Sequence, residues 1–370
     1  MKITRLETFL VKPRWLFLKI HTDEGLVGLG EPFTEGRALT CAQAVEELAP
    51  YLIGQDPRRV VYHWQAMYRH AFYRGGPILT SALSGVEQAL WDITGKALGV
   101  PVYQLFGGPT RERIRLYKGI GEDPELIKQW IAKGFTAFKT GVRGGRSARI
   151  IENKAFVDRA VESFAALREA AGPEIDIAID FHGAIPPQTS KLLIKGLEPY
   201  QPMFIEEPVQ CQNVDTLAEV ARGTFLPIAT GERVFTKWGF REILEKHAAS
   251  ILQPDLCHAG GIHEVHLIAG MAEAYYAAIA PHNPLGPISL AACIQLDATI
   301  PNFIAQEHTM LGEGYLKNPF VMKDGYVTLP TGPGLGIELD EEALAQEGKI
   351  GHDWTNPQSF HPDDHSVVDW

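Results

Sequence analysis

Cysteine is scarce: Cys41, Cys211, Cys257 and Cys293 are the four thiols in 370 residues, and none forms a Cys-x-x-Cys pair. That spacing excludes a disulfide framework and a thiolate zinc site, and a reducing cytoplasm is the expected setting. No apolar run approaches the roughly 20 residues that cross a bilayer, so no membrane segment is expected. The opening MKITRLETFLVKPRW has one short apolar stretch broken by charge and no small-residue cleavage site after it. It reads as a β-strand rather than a leader. Positive charge is short as well: 34 Lys and Arg against 45 Asp and Glu give a net charge of −11. A basic stripe for nucleic acid is missing, so no nucleic-acid partner is expected. There is no low-complexity tract and no repeat of about 20–50 residues. An acidic chain can still take an anionic substrate if its site is locally positive, and a bound divalent cation would make it so.

Three strand-like runs come first, at 3–11, 16–22 and 26–31. The last two are joined by Thr22-Asp23-Glu24-Gly25, with glycine placed for a left-handed turn residue, so the three form an antiparallel meander. Helical periodicity follows over 38–52, 58–72 and 77–98. In the last of these, Leu83, Val86, Leu90, Ile93 and Ala97 bury one face. Strands followed by helices indicate an α+β domain. After Pro109 the pattern becomes short apolar runs at 115–120, 137–141, 175–181, 203–207, 228–232, 250–255, 278–282 and 303–307, with helical stretches between most of them. Eight such runs fit an α/β barrel of the (β/α)8 type. The tail after about residue 316 is rich in Pro, Gly, Asp and His, with few helix signals, and is expected to pack back on the first domain.

Active-site groups of a barrel sit at the carboxyl ends of its strands. Those ends read Asp180 in IAIDFHG, Glu206 in FIEEP, Glu232 in ATGER, Asp255 in LQPDL, His282 in APHNP and Glu307 in AQEH. Asp180, Glu206 and Glu232 recur at equal intervals, as one βα unit requires. Three carboxylates converging on one mouth are tolerable only around a hard cation, and oxygen ligands favour Mg²⁺ over zinc. A single acid at a strand end more often caps the next helix; three in register beside two histidines do not fit that role. Asp255, one strand before His282, can hold the imidazole in one tautomer and raise its basicity, which makes a general-base pair. His182 lies two residues past Asp180, on the same side of an extended chain. Lys139 closes the second barrel strand and could neutralise a substrate carboxylate. Arg143, Arg146 and Arg149 sit in a glycine-rich loop and read as solvated surface.

Taken together these motifs resemble the enolase superfamily, mandelate-racemase-like subgroup, over essentially the whole chain. SALSGVEQALWDITGKALGVPVYQLFGG at 81–108 is similar to the subgroup's segment between capping domain and barrel. DFH, FIEEP, GER, QPD and PHNPLGP resemble its successive strand motifs. Within the subgroup, PRWLFLKI, FYRGGP, SILQPDLCHAGG and the tail NPQSFHPDDHSVVDW most resemble D-galactonate dehydratases. The resemblance implies a modified TIM barrel, (β/α)7β, at 111–315. It implies an α+β capping domain at 1–110, completed by 316–370.

The superfamily pairs a Lys or His base with one or two Mg²⁺ ions, a known pattern carried over here by likeness. On that likeness Asp180, Glu206 and Glu232 bind Mg²⁺, His282 oriented by Asp255 removes the C2 proton, and His182 protonates the departing C3 hydroxyl. Glu307 contacts the substrate carboxylate or enediolate, and Arg14, Trp15, Tyr73 and Arg74 close the mouth and read distal hydroxyls. A homo-oligomer, octamer or dimer, is implied too. Racemases of the subgroup carry Lys-x-Lys where this chain has Lys139-Thr140-Gly141, which favours one-base dehydration of a small acid sugar. The dehydratases it resembles have asparagine in place of Gly141. Another aldonic or aldaric acid therefore stays open as substrate, as does epimerisation or cycloisomerisation. A silent sugar-acid binding protein is the remaining class.

Overall fold

The computed structural model describes residues 1–142 and 154–369. The loop with Arg143, Arg146 and Arg149 lies outside the described residues. The first three strands, β1 (Ile3–Val11), β2 (Trp15–Thr22) and β3 (Val27–Gly30), form the antiparallel meander, with Phe9 opposite Phe17 and Leu18 opposite Gly30. Its tight turn places Gly25 at φ 83° and closes with the Gly25 N–H donating to Thr22 O (3.2 Å). Three helices follow: α1 (Ala38–Leu52), α2 (Val60–Arg69) and α3 (Pro77–Leu98). Pro77 suits the first turn of α3, where its missing N–H costs nothing, and Gly99 at φ 71° ends the helix. Helix α3 lies directly on β3. A Cβ on Gly30 would come within 1.9 Å of Gly85 O, so the contact requires glycine. Leu18, Ile20, Trp64, Val86, Leu90 and Ile93 fill the core beneath.

After a short helix, α4 (Val102–Leu105), the second unit alternates strictly. Strands β4 (Arg113–Gly119), β5 (Ala137–Gly141), β6 (Asp176–Asp180) and β7 (Ile205–Glu206) are followed by β8 (Ile228–Thr230), β9 (Ile251–Leu252), β10 (Ala278–Ile279) and β11 (Gln306–His308). Between them run α5 (Pro124–Ala132), α6 (Lys154–Ala171), α7 (Pro187–Leu197), α8 (Val214–Arg222), α9 (Thr236–Glu245), α10 (Gly261–Ala274) and α11 (Pro287–Asp297). Neighbouring strands pair in parallel from β4 to β10. The ring closes where β11 pairs with β4 and Phe303 bridges to Ile279. Among the described residues this is a (β/α)7β barrel. Its interior alternates small and large side chains, Ala137, Ala178, Ala229, Ala280 and Ala305 around Tyr117 and Phe204, so it is a packed core and not a pore.

The later strands are shorter than their apolar runs because pairing stops where the chain turns outward at the mouth. Glu207 (φ 40°), His182 (φ 56°) and Gly231 (φ 154°) mark those departures. The tail differs from expectation in two places. A hairpin of β12 (Met322–Lys323) and β13 (Tyr326–Thr328) extends the barrel sheet antiparallel to β4. A further helix, α12 (Glu341–Ile350), packs on β1 and is capped by Asp340, whose carboxylate accepts the N–H groups of Glu342 and Ala343 (3.0 Å each).

Buried acids join the two units. Glu87 on α3 accepts the N–H groups of Ile262 and His263 (2.8 Å each) at the start of α10, and the Trp91 indole N–H (2.7 Å). Glu31, just past β3, accepts from Gly286 (2.7 Å) and Ser289 (2.9 Å) at the start of α11. Each carboxylate thus satisfies orphan donors at the positive end of a barrel helix. The segment 81–108, picked out from sequence, is this junction.

Candidate active site

Strand alternation carries Asp180 and Glu206 to the ends of β6 and β7, where they are register partners, and Glu232 follows β8 by two residues. One carboxylate oxygen from each lies within 4.8 Å of the others. Burial pushes Asp180 and Glu206 above the ordinary carboxylate range, and repulsion from Glu232 on Asp180 and from Asp180 on Glu206 adds to it despite the opposing Lys139 ammonium. Three acids this close, Glu206 buried and Asp180 and Glu232 half-buried, repel one another unless a cation sits among them. An all-oxygen donor set of this spacing fits a hard divalent ion, so the residues suit the metal that their pattern implies.

Lys139, the middle residue of β5, stands below them, its Nζ 3.0 Å from Glu206 and 2.7 Å from Glu307. Burial alone would lower its pKa, but the two carboxylates outweigh that and hold it charged. Glu307 on β11 also accepts the Asn283 N–H (3.0 Å), which ties the β10 and β11 ends together. Burial raises Glu307, but Lys139 and His282 bring it below the usual range, so it stays ionised.

His282 follows β10. Its Nδ1–H donates to Asp255 Oδ2 (2.8 Å), and its Nε2 faces Glu232 Oε2 at 3.2 Å. Asp255, fully buried, also accepts the Cys257 N–H (2.7 Å), so its carboxylate is fixed before it fixes the ring. His182 sits at φ 56°, a strained conformation for a side-chain-bearing residue, with its N–H donating to Asp180 Oδ1 (2.6 Å). The chain turns there, and His182, His282 and Glu232 line one cavity of about 220 Å³.

Sequence reasoning missed two residues beside the histidines, His258 and Arg233, and the Glu207 that holds Arg233. His258 lies with Nε2 3.6 Å from Asp255 Oδ2, and its Nδ1 is 3.0 Å from the Ser81 hydroxyl on α3. Arg233 also lines the cavity; Glu207 grips it through Nε (3.0 Å) and Nη2 (2.5 Å), and Gln210 accepts from Nη1 (2.9 Å). The signals were present in the second Glu of FIEEP, the Arg of GER and the His three residues after Asp255.

The mouth residues expected from sequence fare differently. Trp15 is turned into the core, 4% exposed, with its ring near Phe17 and Tyr315; as the first residue of β2 it takes the inward side of the strand. Tyr73 is 85% exposed, and Arg74 is bonded to the Ala71 and Arg69 carbonyls beside the Tyr68 ring. Neither lines the cavity, although Pro77 of the same segment does. The guanidinium of Arg14 is held by Glu35 (2.6 Å) at the mouth. Thr34 and Glu35 from the loop after β3, and Asn356 from the tail, complete the outer wall.

Comparison with known proteins agrees with this fold. Residues 7–107 match the mandelate racemase / muconate lactonizing enzyme N-terminal domain family, and residues 122–343 match the enolase C-terminal domain-like family. D-galactonate dehydratases from Ralstonia nicotianae and Pectobacterium atrosepticum are each 49% identical over 385 aligned positions covering all of both chains. Among solved structures, a provisionally assigned galactarate dehydratase from Agrobacterium radiobacter, bound to Na and L-malate, superposes with TM-score 0.92 at 32% identity over all of both chains. A provisionally assigned dehydratase from Mesorhizobium loti superposes with TM-score 0.87 at 34% identity, covering 94% of this chain and 98% of that one.

Proposed function

The chain belongs to the mandelate racemase / muconate lactonizing enzyme family of the enolase superfamily, and from that membership we propose that it is a dehydratase converting D-galactonate to 2-dehydro-3-deoxy-D-galactonate. One observation carries the reading: an Asp-held histidine and a second histidine line a single cavity beside three clustered carboxylates. The relative that holds L-malate, itself a 2-hydroxy acid, supports the substrate class.

A proton next to a carboxylate is barely acidic, because its departure adds a second negative charge to the same group. Mg²⁺ held by Asp180, Glu206 and Glu232 supplies the compensating positive charge when bound. His282 removes the C2 proton through Nε2, since Asp255 occupies Nδ1 and sets the tautomer. His182, across the cavity, gives a proton to the C3 hydroxyl, because hydroxide leaves poorly without one. The enol so formed takes up a solvent proton at C3 to give the 2-keto acid. Glu307, held in place by Lys139 and the Asn283 N–H, contacts the substrate's carboxylate or enediolate. Among the described residues β5 carries one lysine and none lines the cavity opposite His282, so two-base racemisation at C2 loses support.

A homo-oligomer is the proposed assembly, on the family's habit, and light scattering behind size exclusion would test it. Four free thiols, three of them buried, support a reducing cytoplasm. No helix of the described residues is long and apolar enough to cross a membrane.

The direct test offers the purified enzyme, with Mg²⁺, a set of aldonic and aldaric acids and assays 2-keto-3-deoxy products. D-galactonate should give the highest kcat/KM; no product from any acid would reject the proposal. Calorimetry on Glu206→Gln should show Mg²⁺ affinity reduced at least about tenfold.

A further inference from the structure

The tail after α12 crosses the mouth of the barrel, and three contacts hold it there. His352 donates from Nε2 to Trp15 O (3.1 Å). The Arg14 guanidinium lies over the Trp354 ring, 5.0 Å from its centroid, while the same group pairs with Glu35 (2.6 Å) and reaches Pro284 O (3.4 Å). Pro284 is two residues from His282, so Arg14 clasps the meander loop, the barrel end and the tail together. Asn356 packs against Gly36 so closely that a Cβ on that glycine, at φ 69°, would lie 1.6 Å from Asn356 Oδ1.

We propose that residues 351–356 form the outer wall of the substrate cavity and that Asn356 reads the distal hydroxyls of the sugar acid, with Arg14 and Trp354 as its positioning residues. This rests on the dehydratase reading above. The inner end of the cavity is committed to chemistry by Glu232, His182 and His282. Below it the barrel is closed by half-buried Lys139 and buried Tyr117, so a substrate whose first three carbons react there can extend only outward. At the outer end Glu35 is engaged by Arg14, and the Thr34 hydroxyl donates to Ser81 Oγ (2.8 Å). The Asn356 amide is both donor and acceptor, the complement of a hydroxyl, which is also both. Arg14 therefore acts on the substrate through Glu35 and the tail, and its charge is not offered to the substrate carboxylate.

The test measures kcat/KM for D-galactonate and for its 6-deoxy analogue. The wild type should prefer the full acid by about three- to tenfold, the range of one neutral hydrogen bond. Asn356→Ala should narrow that preference towards one, with the loss for D-galactonate falling on KM more than on kcat. Trp354→Ala should do the same, and Trp354→Phe, which keeps a ring for Arg14, should restore most of the preference. An active wild type whose preference is unchanged in Asn356→Ala overturns the tail's role alone, as does an equal loss on both acids. A wild type that turns over neither acid overturns the dehydratase reading, and this inference with it.

Discussion

His282 owes its orientation to two carboxylates from different strands, and that division of labour can be separated by mutation. Asp255 fixes the ring through Nδ1, while Glu232 faces Nε2. His282→Asn keeps a polar group of similar reach but cannot accept a proton. It should lower C2–hydrogen exchange about 100- to 10,000-fold, as loss of a general base does, while Mg²⁺ binding by calorimetry persists. Exchange at the wild-type rate would reject the base assignment.

A second histidine predicts how stability responds to pH. His308 is buried on β11, stacked on Phe135 with ring planes 2° apart, and its Nδ1–H donates to Tyr117 O (3.0 Å). Burial, with Lys118 nearby, pushes its pKa down to about 4. The unfolded chain protonates His308 near its ordinary pKa of about 6.5, before the folded chain does. The stability it contributes is therefore complete above about 6.5 and is lost as pH falls towards 4. His308→Gln should show a smaller fall in melting temperature between pH 7.5 and pH 5 than the wild type. An equal fall would mean that the ring is solvated.

At this scale the sequence was informative wherever a residue's role follows from strand position. Asp180, Glu206, Glu232, Asp255, His282 and Glu307 all stand at strand ends, and the structure gathers them at one mouth. Trp15, Tyr73 and Arg74 were carried over by likeness to the subgroup's capping domain. Likeness of a segment does not say which way each side chain turns.

Among elements, α3 bears most on the docking of the two units. Its fully buried Glu87 answers three donors, two of them at the start of α10. Glu87→Ala would strand those N–H groups and should destabilise the protein by about 2–4 kcal/mol, measured by urea unfolding. A loss below about 0.5 kcal/mol would show the junction to be held by apolar packing alone. The periodicity of α3 was plain in the sequence, but its acids look like ordinary surface charges until the partner helix is seen.

Helix α12 shows the opposite case. Its signal was present, an Asp340 cap followed by two glutamates and an Ala-Leu-Ala core, yet the Pro and Gly around it suggested a loop. Strands β12 and β13 are two and three residues long, and so short a pairing leaves no alternation to read.

For the whole molecule, the order of units was the most legible feature. Period-2 runs first, then helices, then eight alternations dictate a capping unit and a barrel, and the barrel's closure between β11 and β4 follows from the strand count. What the chain could not disclose in one dimension is how its two ends meet. The meander loop at Arg14 and the tail at Trp354 are distant in sequence, and only the closed barrel brings them to the same opening. The proposed function is shared in the same way: the barrel would supply base, acid and carboxylates, while the cap and tail would supply the wall.

The central claim is that this cavity removes the C2 proton and expels the C3 hydroxyl of one acid sugar. Proton NMR of D-galactonate incubated with enzyme and Mg²⁺ in D₂O tests it most directly. The account predicts 2-dehydro-3-deoxy-D-galactonate carrying solvent deuterium at C3. Recovered galactonate or its C2 epimer bearing deuterium at C2, with no keto acid formed, would contradict it.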